Sequence, residues 1–363
     1  MVAKKSKGKV FVGMSGGVDS SVSAALLQKA GYEVTGVFMK VWQPDFLPCT
    51  WREERLDAMR VAATLGITLL TWDFEREYKE GVADYMIREY KAGRTPNPDV
   101  MCNREVKFGA FFRRSTKEGA DFVATGHYAQ VVHDKKENKF KMLAGVDATK
   151  DQSYFLWTLG QEQLSKTFFP IGGYKKSQVR ALAQKFGLPV AEKNDSQGLC
   201  FVGKLDMKDF LAHFIKEKEG SVLNEKGEAI GTHSGAYFYT LGERHGFTVT
   251  KKSADDTPFY VVKKDLVANT ITVAHMQKTA LECASQELRA SQASFCGGVP
   301  PDTKKTYTAQ VRYHGEQHKC KITALNTNTL SLRLEKPAVF DAGQSVVLYD
   351  GNECLGGGII ETT

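Results

Sequence analysis

Apolar positions first fall into an alternation of short strand-like runs and longer helical ones. Residues 10–14 (Val-Phe-Val-Gly-Met) read as a strand, 20–30 as a helix closed by Gly31, and 33–41 as a second apolar strand, which makes one β-α-β unit. A helical pattern over 53–65 stops at Gly66; 67–74 is strand-like, 75–91 helical, and 121–131 a further strand. The stripe Val179, Leu182, Ala183 and Phe186 predicts a helix over 176–186, and another is expected over 205–218. Strands that alternate with helices bury both faces of a sheet, so the expected fold is α/β with a doubly wound parallel sheet.

Beyond Gly220 the periodicity shortens. Strand-like runs at 236–241, 259–263, 270–274, 307–313, 319–324, 329–334 and 345–349 recur about every ten residues, with turns such as Asn326-Thr327-Asn328 and Asp350-Gly351-Asn352. That spacing suits a small barrel or sandwich. At 363 residues the chain is long enough for two or three domains. The expected division is an α/β domain over 1–205, a small mixed or β central domain over 206–284, and a C-terminal β-barrel over 285–363.

Composition narrows the class. With 42% hydrophobic and 25% charged residues the chain resembles ordinary globular proteins, which excludes disordered and collagen-like chains. A formal charge of +7 tolerates an anionic partner without demanding one. No apolar run has the length of a membrane span, and Lys4, Lys5, Lys7 and Lys9 lead into a short strand rather than a signal-peptide core; a cytosolic protein is expected. The cysteines (49, 102, 200, 283, 296, 320 and 354) are odd in number, scattered, and contain no C-x-x-C, so neither a disulfide framework nor a zinc site is indicated. Each is read by default as a small buried hydrophobe.

Chemistry concentrates in three places. Met14-Ser15-Gly16-Gly17-Val18-Asp19-Ser20-Ser21 joins the first strand to the first helix, where an open parallel sheet places ligands. Two glycines let backbone N–H groups approach an oxyanion, and the helix start favours negative charge, so the loop is suited to phosphate. The plainer alternative is a tight turn with Asp19 or Ser20 as a helix cap. The loop lacks the lysine of the G-x-x-x-x-G-K-[ST] phosphate loop, so γ-phosphoryl transfer is not expected. Cys102 follows Thr95-Pro96-Asn97-Pro98-Asp99-Val100-Met101 and precedes a helical run with Arg104 and Lys107, a setting that lowers a thiol pKa. Cys200 lies in Asn194-Asp195-Ser196-Gln197-Gly198-Leu199-Cys200-Phe201-Val202-Gly203, a polar, glycine-flanked turn. It is equally readable as a core cysteine beside Leu199 and Phe201.

The string S-G-G-V-D-S resembles the pyrophosphate-binding loop of the PP-loop ATP pyrophosphatases, which adenylate an oxygen and release pyrophosphate. In order along the chain, P-N-P-D-V-M-C-N-R-E-V-K-F (96–108), A-T-G-H-Y (124–128), K-D-Q-S-Y-F-L (150–156), D-S-Q-G-L-C-F-V-G (195–203) and T-L-G-E-R-H-G-F (240–247) resemble the motifs of the bacterial tRNA-specific 2-thiouridylases. Val311-Arg312-Tyr313 resembles a C-terminal motif of that family.

The resemblance implies a tRNA wobble-uridine thiolase that uses ATP, with Mg2+ accompanying the nucleotide, and no tightly bound metal or organic cofactor. It implies ATP contacts at Gly13, Met14, Ser15, Gly16, Gly17, Val18, Asp19, Ser20, Met39 and Gly126. Asn97, Pro98 and Asp99 would line the target base. Cys200 would carry the persulfide and Cys102 would be the catalytic nucleophile, with a transient Cys102–Cys200 disulfide and Asp99 handling protons; Asp99 also reads as a plain helix cap. Contacts to tRNA are implied at His127, Lys150, Asp151, Gln152, Arg312, Tyr313 and Gln344; His127 also reads as a core histidine. The implied partners are wobble-uridine tRNAs and a persulfide donor, either a cysteine desulfurase or a sulfur-relay protein, and a monomer is expected. Two other functions compete: an AMP-forming PP-loop enzyme that transfers no sulfur, indifferent to serine at 102 and 200, and a nucleotide-sensing RNA-binding protein that never releases pyrophosphate.

Overall fold

The computed structural model describes residues 6–47, 50–195, 207–250, 257–275 and 284–361. The N-terminal strands are β1 (Lys9–Gly13), β2 (Glu33–Lys40), β3 (Thr68–Asp73), β4 (Phe122–Ala124), β5 (Ala129–Asp134), β6 (Lys139–Ala144) and β7 (Thr167–Phe168). Five of them form a parallel sheet in the order β3-β2-β1-β4-β7. The chain winds outward from β1 through β2 to β3 and then resumes on the other side at β4. The ends of β1 and β4 therefore bound the switch point, the crevice where open α/β sheets bind ligands.

Alternation along β1 explains why the sheet is covered twice. Val10, Val12 and Met14 pack with Val18 and Val22 of α1 (Val18–Lys29), with Ala58 and Val61 of α2 (Trp51–Leu65), and with Val179 and Ala183 of α3 (Lys176–Lys185). Phe11 faces the other way, among Trp72, Tyr78 and Phe111. A strand buried on both faces reads as the continuous apolar run seen here.

Four local expectations need correction. The strand expected over 121–131 is broken at 125–128. β4 stays in the parallel sheet, while β5 and β6 form a hairpin that joins the C-terminal sheet through Met142↔Cys354 and Leu143↔Glu353. The break lies where Gly126 crosses the start of α1: a Cβ there would sit 2.6 Å from the Ser20 nitrogen. The helix expected over 75–91 is interrupted by a π-helical turn at Lys79–Ala83. The run at 236–241 is no strand but contains the 3-10 turn Ala236–Phe238, after Gly235 at φ +145°. Of the helix expected over 205–218, Met207–Ala212 is helical, and Leu205 and Asp206 lie outside the described residues.

The central strands β8 (Gly220–Leu223), β9 (Ala229–His233), β10 (Thr248–Val249), β11 (Phe259–Asp265) and β12 (Thr270–His275) make a mixed sheet ordered β10-β9-β8-β12-β11. The last six, β13 (Ser285–Phe295), β14 (Thr306–Gln310), β15 (Gln317–Leu325), β16 (Thr329–Ala338), β17 (Ser345–Asp350) and β18 (Glu353–Ile360), form an antiparallel barrel. Pairing of β13 with β18 closes it around Leu288, Ala309, Leu330, Leu332 and Val346. Closure removes the exposed sheet edge. Among the described residues no helix is long and apolar enough to cross a membrane.

Candidate active site

At the end of β1 the chain enters the glycine loop. Gly16 has φ +74°, and a Cβ there would collide with the Glu54 carbonyl oxygen, so only glycine fits. Gly17 is the N-cap of α1, and no side chain caps the helix; it is Gly17, not Asp19 or Ser20, that holds the cap position. The Ser20 and Ser21 hydroxyls instead turn back to the Gly17 carbonyl at 3.2 and 2.7 Å. The first N–H groups of a twelve-residue helix are left without a side-chain partner, the arrangement that receives an anion. Met14 and Val18, within the loop, are buried, and Met39 of β2 packs against Gly13, where a Cβ would lie 2.9 Å from its methyl carbon. Gly126 closes the far side, pressed on the backbone of Asp19 and Ser20.

Asp19 points into a polar network that the motifs do not announce. Its carboxylate accepts from the Tyr128 hydroxyl at 2.9 Å and from Lys176 Nζ at 2.8 and 2.9 Å. Lys176 also reaches Asp195 at 2.8 Å, and Asp195 is held in turn by Lys150 at 2.9 Å and Arg180 at 2.8 Å. Burial alone would raise the Asp195 pKa, but hydrogen bonds from Lys176 and Lys150 outweigh it and lower the carboxyl to about 2. Burial and the Asp19 carboxylate push the Tyr128 phenol far above its ordinary range, so it stays a donor.

From the loop the site continues through Gly126 to the second motif. His127 is buried; its Nδ1 pairs with Thr125 Oγ1 at 2.7 Å and its Nε2 with Lys107 Nζ at 3.3 Å. Lys107 belongs to the helical run that begins at Pro98 and continues as a π-helix over Cys102–Phe111. Such windings recur at functional sites because they re-aim side chains within a helix. Asn97 is the cap, accepting from the Val100 nitrogen at 3.2 Å with Pro98 in the first turn, so Asp99 is not the cap. Cys102 is fully buried. Of the two cations expected near its thiol, Arg104 bonds Glu105 at 2.7 Å and Gln292 at 3.1 Å, and Lys107 bonds His127 at 3.3 Å. Cys200 lies outside the described residues, which resume at Met207.

The barrel closes the other flank. Tyr313 sets its ring 4.3 Å from Phe155, and burial with the charges of Asp151 and Asp99 pushes its phenol up to about 12. Asn97 is hydrogen-bonded to the Tyr154 side chain, whose hydroxyl donates to the Ser345 carbonyl at 2.9 Å, next to Gln344. Arg312 reaches the Val339 carbonyl at 3.3 Å. Of the expected tRNA contacts, Arg312, Tyr313 and Gln344 thus lie on the barrel side, and Tyr313 comes close to Asp99. Others are engaged internally. Asp151 accepts from Gly145 N and from Ser153, Gln152 accepts from the Tyr128 nitrogen, and both ring nitrogens of His127 are occupied. Lys176, and Lys193, which donates to the Gly16 carbonyl at 3.2 Å, were missed because isolated lysines in a sequence look like a solvated surface; Tyr128 and Asp195 stand in the motif strings, but only the fold brings them to Asp19 and Lys176.

Fold and site together define an α/β nucleotide-binding protein with a phosphate loop at the switch point, extended by two β-rich domains. Family models match nearly the whole length: a tRNA methyl transferase HUP domain over residues 8–204, a tRNA methyl transferase PRC-barrel domain over 208–275, and an aminomethyltransferase β-barrel domain over 285–360. The chain is 45% identical to a tRNA-specific 2-thiouridylase of Thiobacillus denitrificans over 97% of this chain and 99% of that protein. It is 43% identical to that of Histophilus somni, over 99% and 94% of the two chains, and 43% identical to that of Enterococcus faecalis, over 99% and 97%. The chain belongs to the tRNA-specific 2-thiouridylase family.

Proposed function

We propose that this protein converts the wobble uridine of tRNA into 2-thiouridine, activating the C2 oxygen with ATP and replacing it with sulfur from a cysteine persulfide. The observation that carries this reading is the continuity of the site. The uncapped phosphate loop abuts Gly126, the next residue His127 meets Lys107, and Lys107 shares its helical run with Cys102 and the Asn97-Pro98-Asp99 entrance.

A carbonyl oxygen of uracil is a poor leaving group. Its attack on the α-phosphorus of ATP expels pyrophosphate and makes AMP the leaving group instead. The loop from Gly13 to Ser20 supplies backbone N–H groups to the phosphates, with Met39 and Gly126 on its flanks. Magnesium arrives with the nucleotide; the Asp19 carboxylate, at the loop, is an oxygen donor of the kind Mg2+ takes. Cys200 carries the persulfide, whose outer sulfur attacks C2 and displaces AMP. The Cys102 thiolate then attacks the Cys200 sulfur, the S–S bond to the base breaks, 2-thiouridine leaves, and a Cys102–Cys200 disulfide remains for an external thiol to reduce. Asn97 and Pro98 wall the base, and Asp99 handles the proton.

The base must leave the anticodon stack to reach this site. In this reading Arg312, Tyr313 and Gln344 hold the tRNA from the barrel, Lys150 adds charge near the loop, and His127, Asp151 and Gln152 brace the walls from inside. The protein works in the cytoplasm as a monomer, supplied by a desulfurase or a sulfur-relay protein. The test is nucleoside mass spectrometry on unmodified tRNA incubated with ATP, Mg2+ and a persulfide source. 2-Thiouridine should form with the wild type and be lost with either Cys102→Ser or Cys200→Ser. Pyrophosphate release without sulfur in the base, or a fully active serine variant, would favour an AMP-forming enzyme that transfers no sulfur.

A further inference from the structure

Asn103 follows Cys102 where the helical run changes from α to π winding, and only 2% of it is exposed. Its Nδ2 donates to the Phe155 carbonyl at 3.1 Å. A carbonyl only accepts, so the amide cannot turn round, and its own oxygen faces away from Phe155. That oxygen, Oδ1, is buried and has no hydrogen-bond partner in the protein. Buried acceptors are paired as a rule, because an unmade bond costs the group its hydration without return. An acceptor left open beside the reactive thiol is suited to a donor that arrives with the substrate.

The surroundings say which donor. Asn103 stands four residues, about one helical turn, beyond Asp99, so the two share a face of the run. Phe155, which holds the amide, packs its ring 4.3 Å from Tyr313, and the charge of Asp99 is felt at the Tyr313 phenol. Asn97 bonds the side chain of Tyr154, the residue before Phe155. Asn97, Pro98 and Asp99 are half-buried and Asn103 is buried, so the amide lies deeper than the residues that line the entrance for the base. The Watson–Crick edge of uracil has one N–H donor, at N3, next to the C2 carbonyl that the reaction attacks. Cytosine has a lone pair at N3 instead.

We infer that Asn103 reads the target base: its Oδ1 accepts from the N3–H of uracil, which selects uridine over cytidine and orients the C2 oxygen. The inference deepens the proposed function and rests on it. Enzymes that extrude a base read its Watson–Crick edge in this way. Cytosine would set its N3 lone pair against Oδ1 with no proton between them, and a site built for a hydrogen bond rejects the analogue that lacks it. The contact moves no proton; it acts before the chemistry begins.

Filter binding of two tRNA transcripts that differ only in uridine or cytidine at the wobble position, without ATP, tests it. The wild type should bind the uridine transcript about ten- to a hundredfold more tightly, the worth of one buried hydrogen bond. Asn103→Leu should lose that preference by weakening the uridine transcript alone. Asn103→Asp keeps an acceptor but not the donor to Phe155, and should keep the preference even where overall affinity falls. Mg-ATP binding at the phosphate loop checks that each variant is folded. Equal weakening of both transcripts in a folded Asn103→Leu protein, with the preference intact, would make Asn103 a strut for Phe155 and overturn the inference. So would a wild type that binds the two transcripts equally, whatever the variants do. A wild type that prefers uridine yet forms no 2-thiouridine with ATP and a persulfide source would instead refute the thiolation reading and leave the base reader standing.

Discussion

Both ring nitrogens of His127 are engaged inside the protein, and burial with the neighbouring Lys107 ammonium holds its pKa well below the imidazole range. The sign of the pH effect follows. Unfolded histidine titrates at about 6.5, so below that pH the unfolded chain binds a proton that the folded site refuses, and stability falls as pH drops from about 6.5 toward the folded value. His233 shifts in the same direction in the central domain, so the wild type carries two such contributions. Urea unfolding at pH 7.5 and 5.5 should show a lower midpoint at 5.5, and a smaller difference in His127→Gln, which cannot titrate. An unchanged difference would place the pH sensitivity elsewhere. At this scale the sequence was only half legible. It offered His127 as either a core histidine or a tRNA contact; its burial depends on Thr125 and Lys107, one of them 20 positions away, meeting it at the end of β4.

The entrance to the Cys102 run shows what a local pattern can specify. Asn97 followed by proline specifies the helix start by residue type, because asparagine accepts from the first turn and proline lacks only an N–H that needs no partner there, although Asp99 is the residue expected as the cap. Asn97→Ala removes the bond to Val100 and the contact with Tyr154, and should cost about 0.5–2 kcal/mol. It should also speed alkylation of buried Cys102, read peptide by peptide in a mass spectrometer; Asn97→Asp, which keeps the acceptor, should lie nearer the wild type. Equal rates in all three would mean that the cap does not hold the thiol in place. Elsewhere the local pattern misleads for physical reasons. In β18 the run Gly356-Gly357-Gly358 carries no strand signal of its own and is not read as an element, yet it is a strand squeezed between neighbours. A Cβ at Gly356 or Gly357 would collide with the Ser294 or Val346 carbonyl oxygen, so the glycines are there for close approach, which only the folded barrel reveals. The break between β4 and β5 was illegible for the same reason: 121–131 is continuously strand-like, and its interruption is imposed by α1.

Across the whole molecule, the site needs three domains to stay in register, and one buried junction joins them. Asp341 of the barrel accepts from Thr95 Oγ1 at 2.9 Å, from the Leu241 nitrogen at 3.2 Å and from Lys264 Nζ at 2.8 Å. Lys264 also donates to the Gly93 carbonyl at 3.1 Å, and the lysine and aspartate side chains are only 10% and 7% exposed. Thr95 and Gly93 lead directly into Asn97 and Cys102, while Asp341 lies between Tyr313 and Gln344, so this junction sets the distance between the two flanks of the site. A buried ion pair adds little net stability over apolar packing, but breaking it strands a charge, at about 3–5 kcal/mol. Lys264→Met alone should therefore lower the melting temperature sharply, and Lys264→Met with Asp341→Leu, which removes both charges, should recover a large part of the loss. The functional consequence is separable from the thermal one. The phosphate loop and the network around Asp19 lie within the N-terminal domain, so at temperatures where Lys264→Met remains folded its Mg-ATP affinity should match the wild type, while its tRNA affinity, measured by filter binding, should fall if Arg312 and Tyr313 hold the tRNA as proposed, because Tyr313 then loses its fixed position near Asp99. A variant that loses both affinities equally would show that the junction supports the N-terminal domain rather than aligning it with the barrel.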